Sequence, residues 1–364
     1  MYSFFRPFLF ALDPERAHDL ALTNLQFVAR RAAFSATLEK YFGRTVPDLP
    51  VNCMGLDFRH PLGLAAGLDK EARAVAAFSA LGFSGVEMGT VTPLPQPGNE
   101  KPRMFRLLED EAIINRMGFN SGGIDSFLEN LKSNSEFNAI AGINVGKNAV
   151  TAIGDAHFDY VSALQKVYSV ADYLTINISS PNTKSLRDLQ NSEYLDNLLG
   201  QIKVAHGKCA KVCKKHVPIA LKVAPDLTED EIESISELLI SHQFDGLIAT
   251  NTTIDRPASL RSEHAKQAGG LSGKPLMSTS TDCIRQFYQH LEGRVQIIGA
   301  GGIGNTDDAW EKLLAGADYL QVYSQFIYQG PSLIKDIVRG LQAKLDCQGY
   351  EDITCAMKAL RKSS

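Results

Sequence analysis

The sequence predicts an α/β chain, a (β/α)8 TIM barrel with a small N-terminal helical extension. From Pro47 onward eight short apolar runs alternate with helical patterns, each run ends in a glycine or polar residue, and no composition break divides the 364 residues. Strands buried on both faces read as near-continuous apolar runs, and helices between them make the sheet parallel. Eight such units close into a barrel, which gathers its ligands at the carboxyl ends of the strands.

Composition bounds the function before any motif is read. A chain that is 44% hydrophobic, with 29 glycines and 15 prolines, is globular rather than disordered or fibrous. The net charge of -4, with both signs interspersed, leaves no basic stripe for a phosphate backbone, so no nucleic-acid partner is expected. Six scattered cysteines do not form a secreted disulfide framework, and reduced thiols are expected. His206, Cys209, Cys213 and His216 share a predicted helix, but ten residues of helix rise about 15 Å, too far for one ion, so no metal is expected.

Residues 1–46 read as two helices. Phe4, Phe5, Phe8, Leu9 and Leu12 recur at helical spacing in the first. Asp13 caps a second that has Pro14 at its first position, Glu15 in its first turn, and Ala17, Leu20, Ala21, Leu25 and Val28 on one side. This unit carries a net +2 beside -6 for the remainder and is rich in aromatics, which either dock on the barrel or lie in a membrane interface. The opening residues lack the features of a secretory signal, and no apolar stretch is long enough to span a bilayer.

Strands are predicted at 62–65, 85–88, 140–145, 173–178, 219–223, 247–249, 295–298 and 319–322. Helices fall at 72–81, 157–168, 193–214, 229–242, 279–291, 307–315 and 333–344. Two connections, 91–138 and 181–192, are long enough to be binding loops or lids. The chain therefore divides into an N-terminal unit (1–46), a barrel (47–344) and a tail (345–364) expected as a loose helix.

The chemistry concentrates after the fourth strand. Pro181 ends that strand, so Asn177, Ser179, Ser180, Asn182 and Thr183 collect at or just past its carboxyl end. No base lies near either serine in sequence and no Gly-x-Ser-x-Gly elbow exists, so a hydrolase triad is not supported. Spacing does not choose between Ser179 and Ser180 as a proton carrier. Lys222 turns opposite to Leu221 and Val223 and needs an electronegative partner, either as a Schiff-base lysine or as a cation facing charge that develops on a cofactor. Lys70 offers a second cation to the same rim. Asn115, Asn144, Asn177, Asn182 and Asn251 supply donors and acceptors suited to a planar heterocycle.

The run Gly299-Ala-Gly-Gly-Ile-Gly304 fits G-x-G-x-x-G, but the acid a dinucleotide fold requires, Asp318, precedes its strand and falls at the wrong rim. Loops after strands seven and eight of a barrel form a phosphate site instead, and Gly301, Gly302, Tyr323 and Ser324 lie there.

Taken together, Leu64-Ala-Ala-Gly-Leu-Asp-Lys70, Asn115-Arg-Met-Gly-Phe119, Asn177-Ile-Ser-Ser-Pro-Asn-Thr183, Ala249-Thr-Asn-Thr-Thr253 and Val322-Tyr-Ser324 closely resemble the quinone-dependent, class 2 dihydroorotate dehydrogenases. The resemblance runs from Leu12 to about Pro331 and implies an FMN enzyme that oxidises dihydroorotate to orotate in pyrimidine synthesis and passes electrons to a membrane quinone. By matching positions it implies Ser180 as catalytic base, where soluble class 1 enzymes use cysteine. Lys70, Asn115, Arg116, Met117, Gly118, Phe119, Asn177, Asn182, Asn251 and Thr252 would hold substrate. Ala66, Gly67, Leu68, Asp69, Lys70, Thr90, Asn144, Asn177, Lys222, Thr250, Gly273, Gly302, Tyr323 and Ser324 would hold FMN. His18 and Arg106 would lie between a quinone tunnel and the flavin, and the N-terminal helices would rest peripherally on the cytoplasmic face of the cell membrane. The loop 182–191 would be the lid. A dihydrouridine synthase would want a catalytic cysteine and a basic RNA surface, which are absent, and an aldolase using Lys222 would be colourless.

Overall fold

The computed structural model describes residues 2–183, 186–190 and 192–361. Eight parallel strands close a barrel in sequence order: β1 (Leu62–Leu64), β2 (Gly85–Val91), β3 (Ile140–Val145), β4 (Tyr173–Asn177), β5 (Ile219–Val223), β6 (Gly246–Ala249), β7 (Gln296–Ala300) and β8 (Tyr319–Val322). Large side chains fill the barrel and small ones make room. A Cβ on Gly142 would lie 2.1 Å from the Tyr173 ring, and one on Gly63 2.3 Å from the Tyr319 hydroxyl. A hairpin of Val51–Cys53 and Leu56–Phe58 plugs the amino-terminal end, where Phe58 stacks on Tyr319 at 4.0 Å.

Register sets up the site. Asn177 of β4 pairs with Lys222 of β5, and Gly89 of β2 pairs with Asn144 of β3. Paired residues of neighbouring strands face the same side of a sheet, so Asn177 and Lys222 lie side by side in one layer, with Asn144, which also pairs with Thr175, in the layer below.

The connection 91–138 is not the plain loop expected. It contains strands Met104–Leu107 and Ala112–Asn115 and the helix Ile124–Lys132. The two strands pair antiparallel with each other and with Gly270–Gly273, forming a three-stranded lid. Its third strand comes from far along the chain, so no local pattern announces it.

Residues 1–46 hold three helices rather than two: α1 (Tyr2–Ala11), α2 (Pro14–Ala29) and α3 (Ala32–Tyr41). Asp13 caps α2 as expected, accepting from the amides of Glu15 and Arg16, with Pro14 in the first turn. The chain breaks at Arg31, which is extended, and Ser135 of the barrel donates its amide to Ala29 at the end of α2. Leu25 and Val28 of the expected face pack against the core, joined by the buried Leu22 and Ala29, while Leu20 is 48% exposed.

A buried ion pair straps α2 to the lid. Arg103 meets Glu15 at 2.8 Å with both side chains nearly sealed, and Lys101 lies 3.1 Å away. Burial pushes the Glu15 carboxyl up, but Arg103 and Lys101 outweigh it and hold it below its ordinary range. Removing one partner strands the other charge, so Arg103→Met should weaken the strap by about 3 kcal/mol. Hydrogen exchange should then quicken across α2 and leave the barrel strands unchanged.

The tail is docked rather than loose. The helix Ser332–Gln348 runs past position 344, and Ile353–Leu360 buries Ile353, Ala356 and Met357. Arg361 then donates to the carbonyls of Leu313 and Ala317 and meets Asp318 at 3.2 Å.

Candidate active site

Polar ends of the barrel strands and the underside of the lid line a cavity that opens to solvent. Ser180 and Lys222 both line it. Ser179 does not: it is fully buried, donates to Asn177 Oδ1 at 3.0 Å and accepts from Asn251 Nδ2 at 3.0 Å. The two serines that spacing could not separate therefore have different jobs in the fold. Ser179 splices β4 to the loop after β6, while among the described residues the hydroxyl of Ser180 accepts one long bond, from the Asn182 amide at 3.3 Å.

Most of the residues read from sequence converge here. Ala66, Gly67 and Lys70 come from the loop after β1, Thr90 from β2, Asn177 from β4, and Asn182 from the next loop. The loop after β6 supplies Thr250, Asn251 and Thr252, while the lid and its flank supply Asn115, Met117, Gly118, Phe119 and Gly273. Gly302, Tyr323 and Ser324 complete the wall beyond β7 and β8, and His18 of α2, Met104 and Ile113 line the cavity as well.

Five expected residues stand outside the lining. Leu68 is in the apolar core. Asp69 accepts from the amides of Arg73 and Ala74, and burial raises its carboxyl to about 6. Asn144 lies one layer below, accepting from Thr90 Oγ1 at 2.5 Å and from Asn177 Nδ2 at 3.2 Å. Arg116 turns to Gln267 and Ala268 and stacks on Phe105. Arg106 lies over Phe10 and donates to the carbonyls of Leu9 and Leu12, holding the end of α1.

Beneath the cavity lies a residue that sequence reading missed. Glu87 of β2 is fully buried and accepts from Asn144 Nδ2 (2.8 Å), Tyr173 Oη (3.0 Å) and Gln321 Nε2 (2.7 Å). Its carboxylate is also 3.8 Å from Lys222 Nζ. This is the partner that Lys222 required, and its signal was a lone acid inside an apolar strand. Burial pulls the Lys222 ammonium below its ordinary range and Glu87 pushes it back. Arg187 was missed too: it reaches the carbonyls of Ser179 (3.1 Å) and Thr252 (2.8 Å) and the Asp226 carboxylate (2.7 Å), tying three rim loops together. Lys184, Ser185 and Asn191 of the expected lid lie outside the described residues, but the turn Leu186–Gln190 buries Leu186 and Leu189 against the barrel.

Two more groups are tuned by burial. Lys70 donates to Asn120 at 2.5 Å, and desolvation with the nearby Arg103 charge lowers it to about 8. His18 is lowered to about 4, first by burial and then by Lys70, so its imidazole is neutral at physiological pH.

The lining suits a phosphorylated heterocycle. The hydroxyl of Thr250 and the Oε1 of Gln321, both on residues that line the wall, are buried with no partner among the described residues, and such atoms want a ligand. Gly302 has φ +78, and a Cβ there would fall 2.5 Å from the backbone of Met277, where the helix Met277–Leu291 begins. Bare backbone beside a helix N-terminus is an anion cradle. Among the described residues there is no cluster of three metal-ligating side chains.

Comparison with known proteins agrees with this geometry. A family model described as dihydroorotate dehydrogenase matches residues 48–345. The chain is 50% identical over 342 residues to the dihydroorotate dehydrogenase (quinone) of Vibrio parahaemolyticus, covering 94% of this chain and 100% of that one. It is 50% identical over 337 residues to the protein of that name from Edwardsiella ictaluri, covering 93% and 98%. The crystal structure of Eimeria tenella DHODH in complex with ferulenol superposes with a TM-score of 0.85 at 39% identity, covering 95% of each chain. Matched across the barrel by the family model and at half identity along nearly its whole length by quinone-class relatives, the chain belongs to the quinone-dependent dihydroorotate dehydrogenases.

Proposed function

We propose that this chain oxidises dihydroorotate to orotate in pyrimidine synthesis, with FMN as its flavin, Ser180 as the base and a membrane quinone as the final acceptor. The observation that carries this reading is the placement of Ser180 and Lys222 on one cavity wall system while Ser179 is sequestered. The chemistry FMN supplies when bound is acceptance of the C6 hydride and delivery of electrons to the quinone.

The chain's own residues do the rest. Ser180 takes the C5 proton, and because a hydroxyl is a weak base the transfer succeeds only where water is excluded and negative charge is stabilised elsewhere. Lys222 supplies that stabilisation from a buried position, with Glu87 3.8 Å away opposing the effect of burial and aiming its ammonium. Asn115, Asn177, Asn182 and Asn251 orient the substrate amides and imide, with Lys70 facing the carboxylate. Gly302, Tyr323 and Ser324 hold the phosphate.

Residues 1–46 serve the second substrate and 47–344 the first, while the described tail, 345–361, braces the barrel. His18 of α2 lines the cavity together with the apolar Met104 and Ile113, groups that suit a quinone head. Phe4, Phe5 and Phe8 of α1 are 70%, 54% and 67% exposed, and no described helix is long and apolar enough to cross a membrane. An aromatic helix face of this kind inserts into a membrane interface, here that of the cytoplasmic leaflet. Arg106 contributes by anchoring α1 at the tunnel wall.

Lys70 gives the reading a pH signature. Below about 8 it is an ammonium able to pair with the substrate carboxylate, and above that it is neutral. KM for dihydroorotate should rise about tenfold per pH unit beyond this point, and Lys70→Met should raise KM at pH 7 and flatten the profile. The proposal as a whole is tested by one spectrum. Purified protein should be yellow and bleach anaerobically with dihydroorotate; a colourless protein, or a yellow one that does not bleach, would refute it.

A further inference from the structure

Behind the glycine cradle sits a cation that the mechanism above does not use. Lys312, on the helix Thr306–Ala315, is fully buried, and among the described residues no carboxylate lies within ion-pair distance of it. Its ammonium donates to Ser280 Oγ at 2.5 Å and to Thr281 Oγ1 at 3.1 Å, both in the first turns of the helix Met277–Leu291. Ser280 in turn donates to the carbonyl of Gly301 at 3.1 Å, and a Cβ on Gly301 would touch that hydroxyl at 2.9 Å. Gly301 and Gly302 line the cavity. The ammonium is thus one hydroxyl removed from the loop that forms the cradle, and on its protein side.

A sealed lysine without a counter-ion is costly unless an anion compensates it. We propose that Lys312 is a positioning residue for the phosphate, holding the cradle through Ser280 and adding a buried positive charge that the dianion of FMN completes. The inference rests on the cradle and FMN assignment above.

The groups facing Lys312 leave it uncompensated. Burial lowers it to about 7, opposed by Glu311 and Asp308 on its own helix and by Cys283 and Asp282 on the next. Asp308 is engaged with the Gly304 amide, and burial raises the Cys283 thiol to about 12, so that it stays neutral. From the helix Ser332–Gln348, Lys344 pairs with Asp307, and from the tail Arg361 pairs with Asp318. The sign follows. Below about 7 the ammonium is charged with or without FMN; bound phosphate keeps it charged to higher pH, so FMN affinity falls as pH rises above 7.

Release of FMN on dilution of the holoenzyme, read by its fluorescence, tests this. Wild-type Kd should rise about tenfold between pH 7 and 9, and Lys312→Met should raise Kd at pH 7 by about tenfold or more with a flat profile. Riboflavin, which lacks the phosphate, should bind the flavin-free full chain equally in both proteins. Unchanged FMN affinity in the variant, or an equal loss for riboflavin, overturns the proposal. If the variant does not fold, the wild type decides: parallel pH profiles for FMN and riboflavin also overturn it. A chain that retains no flavin refutes the FMN assignment itself, a separate failure.

Discussion

Ser180→Ala is expected to slow flavin reduction by dihydroorotate by about two to four orders of magnitude and to leave FMN binding intact. The asymmetry follows from where the hydroxyl sits. Ser180 lines the cavity, and among the described residues its hydroxyl makes one hydrogen bond, a long one from the Asn182 amide, so little of the fold depends on it. Ser179→Ala serves as the contrast. It removes the link between Asn177 and Asn251 and should loosen both, lowering flavin retention and substrate affinity together. Rapid mixing under anaerobic conditions separates the two variants. Unchanged reduction in Ser180→Ala would remove that residue from the chemistry.

Removing residues 1–46 should abolish quinone turnover and spare reduction of the flavin by dihydroorotate. All eight barrel strands lie at or beyond position 62, and among the described residues of the cavity lining only His18 belongs to the deleted part. The deletion takes away α1 with its exposed phenylalanines and the α2 part of the cavity wall, where a hydrophobic acceptor would approach. The deleted segment also covers part of the core through Leu22 and Ala29, so detergent is needed to hold the truncated chain in solution. Quinone reduction that persisted in it would place the second site elsewhere.

Much of this was legible in the sequence because the barrel repeats a local rule. Each short apolar run is a strand, and each polar or glycine stop after it marks the same rim, so the pattern of runs and stops already gathers Ser180, Lys222 and Gly302 at one rim. What escaped depends on contacts distant in sequence. The lid needs Gly270–Gly273 to pair with Ala112–Asn115, and neither run looks like a strand without the other. Glu87 sits in an apolar strand and gains meaning only when Lys222, Tyr173 and Gln321 from three other strands turn toward it. Arg106 and Arg116 stand next to site residues in sequence, yet their length carries the guanidinium groups away to α1 and to the loop at Gln267. The break at Arg31 escaped because its cause, the Ser135 amide that ends α2, lies on the barrel.

The claim beneath all of this is spatial: proton and hydride leave one substrate on opposite faces, with Ser180 on one side and the flavin backed by Lys222 on the other. A crystal structure of the holoenzyme with orotate tests it most directly. Ser180 Oγ should lie within hydrogen-bond reach of C5, about 3.5 Å or less, with the flavin ring between orotate and the Lys222 ammonium. Orotate bound with C5 turned away from Ser180, or a flavin seated away from Lys222, would contradict the account.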